Sequence, residues 1–266
     1  MEDIEKKLRQ LGVQPVEGQN FLNSEPIIKA LVEAGEIEED HNVLEIGPGT
    51  GSITDYLIGK AAKVYAVEND TTLANHLEEK YSGENTEVVN EDFLNYDIPD
   101  IDRCVSNIPF QISSEIIEIL GKNQIQSSLI VQKALAAKAV AEPGDSNYGP
   151  FTVMVNYYFI PVKLRDVSKR RYFPKPEVET SILKLYPNKE RHGIEDEGEF
   201  FETTKALFTH KRKKVRNAFV DARHMFEIEK DRAKELRDEI PHSEQRVINL
   251  DVRKMAEIAE FLEDSI

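Results

Sequence analysis

The chain has 266 residues, with 49 Asp and Glu against 34 Lys and Arg; the net charge of −15 argues against a nucleic-acid partner, because phosphate binders usually carry a basic domain. A single cysteine, Cys104, excludes an internal disulfide framework and fits a reducing compartment, and six scattered histidines lack metal-ligand spacing, so we expect no metal site. No apolar run approaches the roughly 18 residues of a membrane span, and residues 1–10 lack the apolar segment of a signal peptide, so we expect a cytoplasmic protein without a membrane segment.

Short apolar runs alternate with helical patterns over the first 130 residues. The first helix is predicted to begin after Ser24, to carry Pro26 in its first turn and to end at Gly35. The alternation continues with apolar runs at 43–46, 64–67, 88–92, 104–106 and 128–131 and helical patterns at 52–61, 71–80 and 113–120. Buried strands that alternate with helices of about ten residues are typical of a parallel α/β sheet.

The pattern changes later in the chain. Residues 151–160 and 180–185 are predicted as longer strands, which fits an antiparallel edge on an otherwise parallel sheet. Beyond Tyr186, proline, glycine and clustered charges interrupt the strand pattern, and the remaining sequence is helical. We therefore predict an α/β domain over residues 1–188 and a small all-helical domain over residues 189–266.

A glycine-rich loop joins the first apolar run to the helix after it. Its sequence is Gly47-Pro48-Gly49-Thr50-Gly51. Glycines allow a tight turn and a close approach of the backbone to a ligand. The pattern also occurs by chance, and NAD enzymes use a related loop. The loop alone therefore does not decide whether a cofactor binds or which cofactor it is.

Two acidic residues end the next two apolar runs. Glu68, 17 residues after Gly51, can accept hydrogen bonds from both ribose hydroxyls of an adenosine-containing cofactor. Asp92 can accept a hydrogen bond from an adenine amino group. Each carboxylate alone is compatible with a loop charge or a helix cap. Together with the glycine loop they indicate a cofactor site, because ligands of such sheets bind at the carboxyl ends of the strands.

A fourth motif, Asn107-Ile108-Pro109-Phe110, directly follows a predicted strand. An amide oxygen and a nearby backbone carbonyl can accept both hydrogens of an exocyclic amine. An aromatic ring can stack on the base. An ordinary Asn-x-Pro turn with a core Phe explains the motif when it is taken alone, but the upstream motifs favour a site for a base.

These four motifs, in this order, resemble those of S-adenosylmethionine-dependent methyltransferases that act on adenine N6. Residues 18–22, 172–181 and 208–217 narrow the resemblance to the ribosomal RNA small-subunit adenine dimethyltransferases, with archaeal members the most similar. The resemblance covers nearly the whole chain. It implies a Rossmann-like class I methyltransferase domain with a mainly parallel seven-stranded sheet, plus a small C-terminal helical domain. It also implies N6,N6-dimethylation of two adjacent adenosines in the 3′-terminal hairpin of 16S-type rRNA and a role in small-subunit biogenesis.

The resemblance assigns roles to single residues. Contacts with S-adenosyl-L-methionine would be made by Asn20, Leu22, Gly47, Gly49, Glu68, Asp92 and Asn107. The catalytic residues would be Asn107, Pro109, Phe110 and Phe173. Among these, Asn107 would lie between cofactor and target, whereas Phe110 and Phe173 would enclose the target adenine from its two faces.

The chain departs from the family pattern at four positions. The fourth motif more often reads Asn-Leu-Pro-Tyr, and loss of the tyrosine hydroxyl at Phe110 leaves stacking intact. Ala134 and Lys138 stand where the family usually has Glu and Arg, which is consistent with joint replacement of an ion pair. The second change bears on local loop geometry or RNA contact and leaves the cofactor site unaffected.

Positive charge is concentrated in one stretch. Residues 160–225 carry 16 Lys and Arg against 10 Asp and Glu, a net charge of +6 that leaves −21 for the remainder. The predicted RNA-binding residues form a first cluster, Lys169, Arg170 and Arg171, and a second cluster, Lys211, Arg212, Lys213, Lys214 and Arg216. A solvated helix face explains either run alone, but together they indicate a phosphate-binding groove.

We accordingly expect a monomer that binds small-subunit rRNA within a pre-30S-type particle. Two alternatives remain open at this point. One is a related 23S-type rRNA or DNA adenine methyltransferase with the same motifs. The other is a ribosome-assembly or transcription factor that acts through nucleic-acid binding alone.

Overall fold

The computed structural model describes residues 4–16, 18–190 and 194–266. The expectation that residues 1–10 form no signal peptide therefore falls partly, at residues 1–3, outside the described residues. The chain forms two compact units: Met1–Ala136 with Ile160–Pro187, and Ala137–Phe159 with Asn188–Ile266. The predicted boundary at residue 188 lies one residue beyond the last segment of the first unit. No sequence signal indicated that residues 137–159 belong with the C-terminal helices.

Nine strands occur in the described residues. They are β1 (Phe21–Leu22), β2 (Asn42–Ile46), β3 (Lys63–Glu68), β4 (Thr86–Asn90), β5 (Arg103–Asn107), β6 (Gln126–Gln132), β7 (Phe159–Val167), β8 (Tyr172–Phe173) and β9 (Thr180–Pro187). Seven of them form a sheet in the order β4-β3-β2-β5-β6-β9-β7. Strands β2 to β6 pair in parallel, and β9 is antiparallel to β6. This architecture confirms the predicted mainly parallel α/β sheet.

The described helices, in chain order, are α1 (Ile4–Gln10), α2 (Glu25–Ala34), α3 (Thr54–Leu57), α4 (Thr71–Lys80), α5 (Ser113–Lys122), α6 (Lys133–Ala139), α7 (Pro150–Tyr158), α8 (Glu197–Phe208), α9 (Val215–Ala222), α10 (Lys230–Leu236) and α11 (Val252–Ser265). Leu31 of α2 and Leu57 of α3 pack against Val43, Val64 and Val105 of the sheet, and all five are fully buried. Each such aliphatic side chain contributes roughly 1.5–3 kcal/mol to folding.

The predicted strand at 151–160 is wrong. Residues Pro150–Tyr158 form α7, and β7 begins only at Phe159. The run is rich in β-branched and aromatic residues, which favour strands when no packing partner is known. Gly149 and Pro150 signalled a helix start, because proline fits the first helical position and glycine is accepted at the cap.

Two predicted helices differ in detail. Ser24 is the N-cap of α2, but its side chain makes no capping hydrogen bond. Gly35 is right-handed, and the left-handed residue is Glu36, with φ 52°. Glycine is required at position 35 because a Cβ there would lie 2.6 Å from the Val105 side chain. The helix predicted over 52–61 is confined to α3, which spans only Thr54–Leu57.

Helix α1 was not predicted. Its buried residues Ile4 and Leu8 pack with Val13 and with Leu73 of α4. The spacing of four between Ile4 and Leu8 was the available signal, but charged residues around it masked the apolar stripe.

The second unit contains only helices as regular elements in its described C-terminal part, as predicted. Helix α8 packs against α9 and α11 through buried side chains that include Phe200, Leu207 and Phe219. Tyr148 donates a 2.7 Å hydrogen bond to the Leu250 carbonyl, which joins the α7 segment to the C-terminal helices. None of the described helices combines the length and the apolar composition that a membrane crossing requires.

Candidate active site

A cavity of about 560 Å³ lies at the carboxyl ends of β2, β3, β4 and β5. Its size falls within the range of small-molecule sites. Its lining includes every predicted cofactor and catalytic residue except Phe173, namely Asn20, Leu22, Gly47, Gly49, Glu68, Asp92, Asn107, Pro109 and Phe110. Strands β2 to β5 run in parallel, so motifs far apart in sequence converge on one edge of the sheet.

The glycine loop follows β2 in a conformation that side chains disfavour. Gly47, Gly49 and Gly51 all have positive φ, at 67°, 60° and 81°. A Cβ on Gly49 would lie 2.9 Å from the Phe21 ring, and one on Gly51 would lie 2.2 Å from the Tyr81 hydroxyl. Glycine is therefore required at both positions by backbone angle and by space.

Glu68, the last residue of β3, is 6% exposed and is tied to the glycine loop. Its Oε2 accepts the Gly49 N–H at 2.9 Å, and its Oε1 accepts the Asp70 N–H at 3.0 Å. Burial raises the pKa of the Glu68 carboxyl, whereas these two backbone hydrogen bonds oppose that shift. Each carboxylate oxygen can accept a second hydrogen bond, so two ribose hydroxyls remain within the capacity of this group.

Asn107 ends β5 with one amide atom paired and the other unpaired. Its Nδ2 donates a 3.0 Å hydrogen bond to the Asn20 carbonyl, which fixes which end of the amide is the oxygen. Its Oδ1 is buried and accepts no hydrogen bond from the described residues. An unsatisfied buried acceptor costs about 1–3 kcal/mol, which a bound N–H donor would recover.

Asp92 follows β4, and Phe93 follows Asp92. The Asp92 Oδ1 accepts the Leu94 N–H at 3.0 Å, which fixes the orientation of the carboxylate. The Phe93 ring is 4% exposed and lines the cavity with the apolar side chains of Ile53 and Val67. Phe93 was not predicted as a site residue, although its position directly after the predicted adenine-binding acid was a signal.

The cavity lining is acidic. It contains Glu68, Asp70, Glu91 and Asp92, and no Lys or Arg among the described residues. It suits a ligand that carries positive charge, such as a sulfonium with an ammonium group.

Helix α1 supports the glycine loop from outside the sheet. Lys7 Nζ donates a 2.7 Å hydrogen bond to the Thr50 carbonyl. This contact was not predicted, because it joins residues 43 positions apart in the sequence.

Glu45 lies one residue before the end of β2 and is a second buried acid that the sequence analysis did not single out. It is 1% exposed; its Oε2 accepts the Thr54 hydroxyl at 2.6 Å, and its Oε1 has no partner in the described residues. Burial raises the pKa of Glu45 to about 8, with Asp55 and Glu68 adding to the effect. Glu45 therefore remains protonated in the folded protein near neutral pH.

We predict that Glu45→Gln stabilises the protein by about 2–4 kcal/mol at pH 9 and by much less at pH 5. The pKa of Glu45 in the folded protein lies above the ordinary value of 4.5. The wild-type protein therefore loses folding stability as the pH rises from 4.5 through about 8, because the buried carboxyl must ionise. Thermal unfolding at the two pH values measures the difference. The matched control is Glu87→Gln, an exposed β4 residue paired with Lys63; an equal gain at both pH values would contradict the prediction.

Phe173 does not line the cavity. It pairs in register with Phe21 across the β1–β8 ladder and packs half-buried on the cluster that contains Leu8 and Leu73. The first basic cluster directly precedes this ladder, and Arg170 and Arg171 are exposed there. Since Phe21 and Leu22 of the ladder line the cavity, this cluster lies near the cavity in the first unit.

The second basic cluster lies at the start of α9 in the second unit. Three of its members form ion pairs: Lys213 with Asp221, Lys214 with Glu244, and Arg216 with Glu244 and Asp238. Lys211 Nζ donates to the carbonyls of Ser146 and Tyr148, and Arg212 is exposed. The sequence showed the basic residues but not the carboxylates that face them.

One group of potential metal ligands occurs in the described residues: Glu38, Asp40 and His41. It precedes β2, at the amino ends of the strands and so at the opposite edge from the cavity. His41 Nδ1 already accepts the Glu38 N–H at 3.0 Å, and both acids are exposed. The expectation that the protein has no metal site stays a prediction.

The family model of ribosomal RNA adenine dimethylases matches residues 14–264. The chain belongs to this family. Membership confirms the resemblance drawn from the motifs, and with it the predicted class of enzyme, an S-adenosylmethionine-dependent methyltransferase.

Curated relatives of this adenine dimethylase cover most of its length. A probable ribosomal RNA small subunit methyltransferase A of Thermococcus kodakarensis is 38% identical over 249 residues, covering 92% of this chain and 88% of that protein. A protein of the same name from Methanopyrus kandleri is 36% identical over 263 residues, covering 96% and 95%. Both sources are archaea, in agreement with the archaeal resemblance.

Solved structures confirm the class I methyltransferase fold. A dimethyladenosine transferase from Plasmodium falciparum superposes with a TM-score of 0.81 at 26% identity and covers 92% of this chain and 98% of its own. A 23S rRNA methyltransferase, ErmE, gives a TM-score of 0.65 at 27% identity, covering 91% and 99%.

Proposed function

We propose that this adenine dimethylase transfers methyl groups from S-adenosyl-L-methionine to N6 of two adjacent adenosines in the 3′-terminal hairpin of small-subunit rRNA. The observation that carries the proposal is the buried Oδ1 of Asn107, which has no hydrogen-bond partner among the described residues and lies in a cavity that also contains the glycine loop and Glu68. We further propose that it acts as a cytoplasmic monomer on a pre-30S-type particle during subunit biogenesis.

The cavity residues fit the cofactor. Glu68 would accept the ribose hydroxyls, and Asp92 would accept the adenine amino group beside the Phe93 ring. Gly47 and Gly49 would let the backbone approach the cofactor, and Asn20 and Leu22, which line the same cavity, would contact it as well. The acidic lining supports this choice, because the cofactor carries a sulfonium and an ammonium group. When bound, it supplies an electrophilic methyl group.

Asn107 would prepare the adenine amine for reaction. The N6 lone pair is delocalised into the ring, which makes the amine a poor nucleophile. Hydrogen bonds from N6–H to Asn107 Oδ1 and to the Ile108 or Pro109 carbonyl favour a pyramidal nitrogen and free the lone pair. Ser113 already donates a 2.8 Å hydrogen bond to the Pro109 carbonyl, which fixes the turn and leaves one of its lone pairs for the substrate.

Stacking and positioning supply the remaining catalysis. The adenine would stack on Phe110, with Phe173 as the second ring, tethered to the cavity by its pairing with Phe21. Correct orientation can lower the barrier by several kcal/mol, so no strong general base is required, and the proton leaves to solvent after transfer. The site must also accept N6-methyladenine, because each adenosine receives two methyl groups.

The two basic clusters would bind RNA phosphates. Lys169, Arg170 and Arg171 lie near the cavity in the first unit, and the second cluster opens α9 in the second unit. Binding through phosphates predicts affinity that falls steeply with salt.

Methylation of large-subunit rRNA is the alternative, favoured by the structural similarity to ErmE. The higher TM-score with the dimethyladenosine transferase and the small-subunit names of the relatives support the first proposal. The experiment is transfer of labelled methyl from S-adenosyl-L-methionine to undermethylated small and large subunits, with identification of the product nucleoside by mass spectrometry. We expect N6,N6-dimethyladenosine in the 3′-terminal hairpin of the small subunit only; label in 23S rRNA would contradict the proposal.

A further inference from the structure

Glu244 lies at the centre of the second basic cluster. Its two carboxylate oxygens contact Lys214 Nζ and Arg216 Nη1, so it joins two of the predicted RNA-binding residues. The hydrogen bond from Lys214 holds the pKa of Glu244 below its ordinary value, with Arg216 adding to the effect. The acid is therefore ionised and neutralises the charge that would otherwise attract phosphate.

The backbone holds Glu244 in this place. Val215 N–H donates to the Gln245 carbonyl at 2.8 Å, and Val247 N–H donates to the Lys213 carbonyl at 3.1 Å. The segment that carries Glu244 is thus paired with the segment that carries the cluster, although about 30 residues separate them. The contact follows from the fold of the second unit.

The ion pairs leave two guanidinium donors unsatisfied. Arg216 Nε and Arg237 Nε are buried and have no hydrogen-bond partner in the described residues. Both guanidinium groups approach the same atom, Asp238 Oδ1, at 3.6 Å from Arg216 Nη1 and 3.5 Å from Arg237 Nε. The carboxylates therefore satisfy this group of cations incompletely, whereas arginine can bind a phosphate through two N–H groups at once.

We propose that Lys214 and Arg216 form an RNA phosphate site that Glu244 occupies in the free protein, so that RNA binds there only by replacing the carboxylate. The inference rests on the proposed RNA substrate and deepens it. Glu244 lowers the affinity for every RNA, which keeps binding to bulk RNA weak while base contacts in the cavity add affinity for the correct hairpin.

The test measures the affinity of the full chain for a 3′-terminal hairpin RNA and for a poly-U strand of equal length over a salt series. Glu244→Gln is expected to tighten binding of both RNAs about three- to tenfold at low salt. The plot of log affinity against log salt should become steeper by about one unit, because one more phosphate contact is gained. The pairs are partly exposed and add little to stability, so the variant retains the fold.

Two comparisons isolate the site. Asp231→Asn removes the same charge from the second unit, where Asp231 pairs with Lys234, and is expected to change affinity less than twofold. In a Lys214→Ala/Arg216→Ala background, Glu244→Gln should have no effect, because its partners are gone.

The outcomes separate the two proposals. Suppose that Lys214→Ala/Arg216→Ala weakens RNA binding but that Glu244→Gln changes the affinity no more than Asp231→Asn does. The proposal that Glu244 occupies the phosphate site is then overturned, whereas the proposal that the second basic cluster binds RNA is retained. An effect of Glu244→Gln that persists without Lys214 and Arg216 also overturns the proposed occupation by Glu244, as would unchanged RNA binding by Lys214→Ala/Arg216→Ala. The methyl-transfer assay decides the proposed activity independently of all three results.

Discussion

Replacement of Asn107 by alanine is expected to lower the rate of methyl transfer by about 10²–10³-fold, or about 3–4 kcal/mol, while subunit binding remains close to wild type. The substitution removes Oδ1, a buried acceptor that no described residue pairs with, and with it the proposed hydrogen bond to N6–H. Single-turnover methylation of undermethylated small subunits, with subunit affinity measured in parallel, tests both parts. Methylation at the wild-type level would overturn the mechanism.

A second asparagine provides the control for this experiment. Asn123, the C-cap of α5, also donates through Nδ2 to a backbone carbonyl, that of Ile119, but it is exposed and remote from the cavity. The Asn123→Ala variant should transfer methyl groups at the wild-type rate. Cofactor affinity must also be measured for Asn107→Ala. The Nδ2 group of Asn107 donates a hydrogen bond to the carbonyl of Asn20, a predicted cofactor contact, and the substitution removes that hydrogen bond as well. If Asn107→Ala loses methylation but retains subunit binding, the protein has a catalytic activity that an assembly factor acting by binding alone would lack.

Replacement of Glu68 by alanine is expected to weaken binding of S-adenosyl-L-methionine about 10²–10⁴-fold. Two charged hydrogen bonds to the ribose would be lost, each contributing about 1.5–3 kcal/mol. The Gly49 and Asp70 N–H groups would also lose their acceptor, which loosens the glycine loop. Isothermal titration calorimetry with the cofactor measures the change.

The matched control is Glu87→Ala. Glu87 lies on the neighbouring strand β4, is exposed, and pairs with Lys63 outside the cavity lining. Its removal should leave cofactor affinity within twofold of wild type. A Glu68→Ala variant that binds the cofactor within threefold of wild type would contradict the assignment of this acid to the ribose.

The four site motifs were predictable because each combines a local signal with a fixed place in the sheet. Apolar runs mark the strands, and in a parallel sheet their carboxyl ends lie on one edge. Gly49, Glu68, Asp92 and Asn107 could therefore be brought together without knowledge of the packing. Helix α7 could not, because its residues favour a strand locally and only burial in the second unit decides for a helix.

Other features depended on partners that are distant in sequence. Glu45 is an ordinary acid in the sequence and becomes a neutral group only because the folded protein buries it. Glu244 is one of many acids until the backbone of the second unit places it against Lys214 and Arg216. Phe173 pairs with Phe21 of the cavity lining without belonging to that lining itself, a placement that only the β1–β8 pairing reveals.

The sequence by itself determined the α/β sheet, the family and the four motifs that meet at the cavity, because hydrophobic periodicity and short motifs are local properties of the chain. Only the tertiary structure decided the helix at α7, the burial of the Asn107 oxygen away from any partner in the described part of the chain, the buried acid Glu45 and the carboxylates that occupy the second basic cluster. Burial, hydrogen-bond satisfaction and charge pairing depend on which distant residues meet, and the fold alone settles those contacts.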